Sequence, residues 1–274
     1  MKYAIENPND KGGVGKSLTD LVLIESLRRH GLRSKIAVIE VDHERKLSRF
    51  LESRGDKVDV TLAASAGLAA AAKDRTALES HFDPVYSAQT AGHSITDLGA
   101  NVTSAKMEWE RLSDVPEAMI EEGVWKIFAV PVTPDVAAID AGFRALRASV
   151  DLYGKNASYF FVLNDINGDG FAACRNGQVF KELAKLESAV GLKIVEIPFS
   201  SSRLVQDYGN LAYMSPMDVY DQADTIAEKL GLSKPKANRE IKKLTEWIAA
   251  ATAAVEPIIA PIVEECRKAE GGEG

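Results

Sequence analysis

The chain has 274 residues, 46% hydrophobic and 27% charged, a length and composition that suit one large soluble α/β domain, with no stretch that reads as a Ser/Gly/Pro-rich linker. A formal net charge of -7 and a pI near 5.3 argue against a surface built as a whole for nucleic acid, leaving room for a local basic patch. No uninterrupted apolar run approaches the roughly 18 residues of a membrane span and the N-terminus lacks a secretory apolar region, so the expected location is cytoplasmic, with no membrane span. Cys174 and Cys266 lie far apart, and His30, His43, His81 and His93 form no ligand-spaced pair, so neither a disulfide framework nor a structural metal is expected.

In chain order, Tyr3-Ala4-Ile5 reads as a short strand, and Leu18, Leu21, Val22 and Leu27 space as one face of a helix. Between them lies Lys11-Gly12-Gly13-Val14-Gly15-Lys16-Ser17. A triphosphate needs many converging donors, and backbone N–H groups reach it where side chains do not block the approach, which is the use of Gly12, Gly13 and Gly15. Lys16 adds a point charge for the β- and γ-phosphates. Ser17 offers a hydroxyl to Mg²⁺, and the helix N-terminus behind it favours the anion. The expected nucleotide contacts therefore run from Gly12 through Leu18, Val14 included. The bland alternative is a glycine-rich turn that ends in Lys-Ser. An ordinary Walker A loop has glycine five positions before Gly15, where this chain has Asp10, followed by a second lysine, Lys11. The pattern Lys-Gly-Gly-x-Gly-Lys-Ser resembles the deviant Walker A of the ParA/MinD ATPases.

Gly31 closes the first helix, and Lys35–Ile39 reads as a buried parallel strand ending in Glu40-Val41-Asp42. Carboxylates just past strand ends are where an α/β sheet presents its chemistry. The resemblance implies a switch segment here, with Asp42 positioning the attacking water and Glu40 standing where the family has Asp; a plain cap for a helix starting near His43 is the alternative for Asp42. Residues 56–91 read mostly as helix, including Leu62–Ala72 and Ala77–Phe82, broken at Asp83-Pro84. His93–Leu98 reads as a strand ending in Asp97-Leu98-Gly99, where an aspartate in P-loop proteins holds Mg²⁺; the expected metal set is Ser17, Asp42 and Asp97.

Trp125–Pro131 reads as another strand, followed by a helix over Val136–Leu152, and Tyr159–Leu163 as the next, ending at Asn164. The resemblance implies a base contact from Asn164, and another from Pro198 after the last strand, Lys193–Ile197. Asp165-x-Asn167-x-Asp169-Gly170 begins like a calcium loop, but its twelfth position is Asn176 and strand-like residues precede it, so a polar loop is expected. Beyond Gly231, Ile241, Leu244, Ile248, Ala251 and Val255 keep helical spacing, after a basic start with Lys234, Lys236, Arg239, Lys242 and Lys243. That start reads as a solvated face or, less favoured, as a contact for nonspecific DNA.

The expected fold is α/β, a mostly parallel sheet with helices on both faces as in P-loop NTPases, over residues 1–231, with a helical C-terminal extension over 232–274. The resemblance implies an ATPase that uses ATP and Mg²⁺ to switch between monomer and ATP-sandwich dimer, with Lys11, Lys16 and Asp42 catalytic and Lys11 reaching across to the partner's nucleotide. It implies partition or positioning of DNA or another large cargo, with slow hydrolysis stimulated by a partner protein. The rivals are a metabolic ligase of the dethiobiotin-synthetase type, a nucleotide-binding regulator with little hydrolysis, and an iron-protein reductase, for which Cys174 and Cys266 are poorly placed.

Overall fold

A computed structural model of the chain describes residues 1–52, 55–63, 80–206 and 223–271. Within them, seven strands form one parallel sheet: β1 (Lys2–Glu6), β2 (Ile36–Val41), β3 (Val60–Leu62), β4 (His93–Leu98), β5 (Val124–Val132), β6 (Ala157–Asn164) and β7 (Lys193–Ile197). Their order across the sheet is β3-β2-β4-β1-β5-β6-β7, which puts β1 and its glycine-rich loop at the centre. The helices are α1 (Lys16–Arg29), α2 (Lys46–Glu52), α3 (Asp83–Ala91), α4 (Thr103–Leu112), α5 (Val115–Glu121), α6 (Val136–Tyr153), α7 (Gln178–Val190), α8 (Arg203–Gln206), α9 (Ala223–Leu230) and α10 (Lys234–Gly271). This is an α/β fold, one parallel sheet with helices on both faces, and a long C-terminal helix.

Both faces of this parallel sheet are covered, so its central strands are buried on both sides and successive residues serve different cores. Ile5, Ile127, Ala129, Phe160 and Val162 pack with α1, α2 and α10 on one face. On the other, Ala4, Ile39 and Val41 meet α3, α4 and α5, while Phe128, Val130 and Phe161 meet α6 and α7. Asp135 caps α6, its carboxylate accepting the Ala138 N–H at 2.9 Å.

One expectation changes. Residues 60–62, inside the stretch read as helix, form the edge strand β3, with Val60 beside Ile39. Their β-branched Val-Thr pair suits a strand, and three residues are too few to show a period. Asp83-Pro84 starts α3, where a proline in the first turn lacks an N–H that would have had no intrahelical partner anyway. Most of the expected helices Leu62–Ala72 and Ala77–Phe82 lies outside the described residues.

The helix α10 runs through Pro257 and Pro261 and is embedded in the core: Leu244, Ile248, Ala251 and Val255 are buried, as are Ile258, Ile259 and Ile262. It lies along α1, tied to it by Ser26 Oγ donating to Glu256 (2.9 Å) and Arg29 donating to Thr252 Oγ1 (2.8 Å). Residues 234–270 are long and apolar enough to cross a membrane, but half of the apolar window is buried inside this fold. Covered by the sheet below and α10 above, α1 buries Leu23 and Ile24 as well as the face formed by Leu21, Val22 and Leu27.

Under α4 the sheet holds a buried ionic network. Glu6, Lys106, Glu110 and Lys126 are each at most 1% exposed. One Glu6 oxygen accepts from Lys106 Nζ at 2.8 Å and Lys126 Nζ at 2.6 Å, and Glu110 lies 2.5 Å and 3.4 Å from the same two ammonium groups. Burial pushes the Glu6 carboxyl up, but Lys106 and Lys126 outweigh it and bring its pKa down to about 2, from an ordinary value of 4.5. A depressed carboxylate contributes stability that is whole above its unfolded pKa and lost as pH falls through the folded one. Glu6→Gln leaves two buried ammonium groups facing one carboxylate. It should cost about 3–5 kcal/mol in urea denaturation at pH 7, and the difference from wild type should shrink between pH 4.5 and about 2.

Candidate functional site

The glycine-rich loop joins β1 to α1 and depends on two left-handed residues, Gly13 (φ 77°) and Gly15 (φ 79°). At Gly15 no side chain fits either, since a Cβ would stand 2.1 Å from the Asn164 amide nitrogen. Gly15 is the N-cap of α1 and supplies no side-chain acceptor, so the first N–H groups of that helix face the cavity in front of the loop. The loop is braced from beneath: Asn9 Nδ2 donates to the Pro131 carbonyl of β5 (2.8 Å), and Asn9 Oδ1 accepts the Lys11 N–H (2.9 Å). Lys16 is 8% exposed and donates to the carbonyls of Asn9 (2.8 Å) and Lys11 (2.9 Å). Burial lowers its pKa, against the opposing pull of Asp97, Asp10, Asp42 and Asp20. Lys11 is exposed, and its ammonium group has no partner among the described residues.

Asp10, the departure from the ordinary loop, caps another helix. Its carboxylate accepts the Thr103 N–H (2.8 Å) and the Ser104 hydroxyl at the start of α4, and its carbonyl accepts the Asn101 N–H (3.2 Å). The segment after β4 is thereby stapled to the glycine-rich loop.

The strand-end carboxylates divide into two kinds. Glu40 is fully buried on β2 and accepts from Leu47 N–H (2.7 Å), Ser48 N–H (3.2 Å) and the Ser48 hydroxyl, so it caps α2. Burial raises its pKa and those three donors oppose the rise. The helix begins at Lys46, and Glu40 caps it; Asp42 instead accepts the Glu44 N–H (3.2 Å) and faces the cavity. Gly99 lets the β4 loop come close, because a Cβ there would be 2.8 Å from the Asp42 carboxylate.

Asp97 is 1% exposed at the end of β4; burial raises its pKa, opposed by Ser17 and Asn7. Two further residues join it. Asn7 donates to both Asp97 (3.2 Å) and Asp20 while accepting the Leu98 N–H (2.9 Å), and Asp20 is fully buried with its pKa pushed well above the ordinary range by burial and by Asp97. The readable signal for Asp20 was a lone carboxylate in the apolar run of α1, one turn after Lys16.

The cavity in front of these groups measures 590 Å³. It brings together Gly12, Gly13, Val14, Gly15, Lys16, Ser17, Leu18, Asp42, Asp97, Asn164 and Pro198, with Lys11 just outside. Asn164 donates to the Val14 carbonyl at 3.2 Å, which makes it a brace on the loop. The calcium-like segment forms part of the rim: β6 leads into it, and Asp165 accepts the Gly168 N–H (2.8 Å) in a local turn. Trp247 of α10 also lines the cavity, a contribution not foreseen from its spacing.

Mg²⁺ fits the donors present. Ser17, Asp42 and Asp97 are all oxygen donors, and Asp97 Oδ2 is buried without a hydrogen-bond partner among the described residues. No group of three or more His, Cys, Asp or Glu among the described residues could hold a metal alone.

The division of labour between the two acids is measurable by urea denaturation. Glu40→Ala should cost about 1–2 kcal/mol as the α2 cap is lost, and Asp42→Ala less than about 0.5 kcal/mol. The reverse ranking would move the cap to Asp42.

No protein-family model and no curated protein sequence matches the chain. Among solved structures, an McdA–ATP complex from Cyanothece aligns at 14% identity over 85% of this chain and 97% of that one, with a TM-score of 0.43. The MinD cell division protein of Aquifex aeolicus aligns at 14% identity, covering 91% and 97% of the two chains, with a TM-score of 0.45. For pNOB8 ParA bound to nonspecific DNA the values are 13%, 90%, 99% and 0.44. The structures that this chain resembles are thus ATPases of the ParA and MinD kind; the superpositions are loose, and what the site can do rests on the residues described above.

Proposed function

We propose that this chain is a ParA/MinD-type ATPase that binds Mg·ATP and uses slow hydrolysis to switch between a monomer and an ATP-sandwich dimer, positioning DNA or another large cargo in the cytoplasm. The observation that carries the reading is the contrast between the two loop lysines. Lys16 is buried and held by its own loop, whereas Lys11, next in the chain to the cavity-lining Gly12, is exposed and without a partner among the described residues.

The residues divide the work as follows. The N–H groups of Gly12 through Ser17 take the phosphate oxygens, and Lys16 exchanges its two carbonyl acceptors for charged ones, which bind it more strongly. Ser17 and Asp97 hold Mg²⁺, which supplies charge neutralisation on the β- and γ-phosphates when bound. Asp42 accepts a hydrogen bond from the attacking water and orients it. Lys11 of the opposite protomer neutralises charge developing on the transferred group. Loss of the γ-phosphate relaxes the segments after β2 and β4, and the dimer parts; a partner protein accelerates that step.

DNA is the cargo that the basic start of α10 supports. There Lys234, Lys242 and Lys243 lie 3.0, 4.0 and 2.8 Å from Asp224, Glu246 and Glu240, while Lys236 and Arg239 are exposed without partners among the described residues.

Solution mass in Mg·ADP and in Mg·ATP tests the reading, with Asp42→Ala to slow hydrolysis. A dimer with ATP alone is expected, and a mass indifferent to nucleotide overturns the switch. Lys11→Ala should lower turnover about 10²–10³-fold and abolish the dimer; unchanged turnover would remove the cross-dimer role. Charge reversal of Lys242 and Lys243 to Glu should lower the salt slope of duplex-DNA binding by about 1 for each lysine that meets a phosphate. An unaltered slope takes this patch out of the interface.

A further inference from the structure

The cavity has two chemically distinct ends, and the second is built by the C-terminal helix. The polar end lies at β1 and β4, with the loop glycines, Lys16, Asp42 and Asp97. At the ends of β6 and β7 the lining mixes Asn164, Asp165, Asn167 and Ser200 with an apolar group, Ile166, Pro198, Val205 and Trp247. Three strand spacings separate β1 from β7 in this sheet, about 14 Å at ~4.8 Å each. That is the reach from a phosphate chain, through a ribose, to a base.

Trp247 comes from α10 and is 6% exposed, its indole N–H donating to the Pro198 carbonyl at 2.7 Å. That bond satisfies the polar edge of the ring and fixes it, leaving an apolar aromatic surface at the cavity wall. The same wall is fastened at two more points: Ser202 Oγ donates to the Glu240 carbonyl (2.9 Å), and Arg203 N–H donates to the Glu240 carboxylate (2.8 Å). The loop after β7 is therefore positioned by α10, and the indole is one of the groups that line this end of the cavity.

We propose that Trp247 packs against the base of the bound nucleotide, so that α10 forms the base-binding wall of the site. The proposal rests on the nucleotide-binding reading above. It makes the helix beyond residue 232 part of the ligand site, and it assigns to that end of the cavity a purine-sized aromatic ligand.

The test uses the full chain with Mg²⁺, titrated with ATP and separately with inorganic tripolyphosphate, followed by calorimetry and by intrinsic fluorescence; the tryptophans are Trp109, Trp125 and Trp247. ATP should change the emission and tripolyphosphate should not. Trp247→Phe should remove the signal while keeping ATP affinity within about threefold, since a phenyl ring still stacks. Trp247→Leu should weaken ATP about tenfold or more, in line with base stacking, and leave tripolyphosphate affinity unchanged. Unchanged ATP affinity in Trp247→Leu, or an equal loss for both ligands, overturns the base contact and leaves the nucleotide reading standing. Failure of wild type to bind either ligand overturns both.

Discussion

A helix whose first N–H groups receive no side-chain cap must find its acceptors elsewhere, and the molecule is arranged around that end of α1. Parallel strand order puts β1 at the centre of the sheet, so the uncapped end opens onto the crevice beyond the strand termini, with β4 and β5 on either side. The turn into the helix is possible because Gly15 adopts a left-handed conformation and because Asn164 occupies the space that a side chain would fill. Asn9 holds the loop to β5, Asp10 holds it to α4, and Asn7 ties the end of β1 to α1 and β4.

Carboxylates carry most of this positioning, and their surroundings decide which are spent on structure. Glu40 and Asp10 have their oxygens taken by helix N-terminal N–H groups and serine hydroxyls. Glu6 is neutralised by Lys106 and Lys126. Asp42 keeps a face on the cavity, and Asp97 keeps an oxygen without a partner among the described residues. Of these five acids, Asp42 and Asp97, at the ends of β2 and β4, are the two that line the cavity.

The last helix joins stability to the site. By covering α1 it lets a central helix be apolar on more than one side, and its buried Ile258, Ile259 and Ile262 offset the cost of running a helix through Pro257 and Pro261. One end of it fastens the loop after β7, and at the other Lys35 and the N-terminal ammonium group pair with Glu270 and Glu265. Core packing and one wall of the cavity thus share an element.

Local chemistry determined what a short window of residues can specify. Three glycines and a lysine before an apolar helix, with acids past two apolar runs, could be read without further context as a strand–loop–helix unit and strand-end carboxylates, because each is a contiguous pattern. The strands His93–Leu98 and Tyr159–Asn164 and the helix from Val136 were legible for the same reason. Edge strand β3 was not, since three residues carry no period, and Asp83-Pro84 is ambiguous between ending a helix and starting one. What only the tertiary structure decided was pairing at long range. Glu40 and Asp42 are two residues apart and locally indistinguishable, and it is the placement of α2 above β2 that makes one a cap and leaves the other facing the cavity. Asp10 meets Thr103, Asn7 meets Leu98 and Trp247 meets Pro198 across separations that no periodicity spans, because those contacts are set by the order in which strands lie in the sheet.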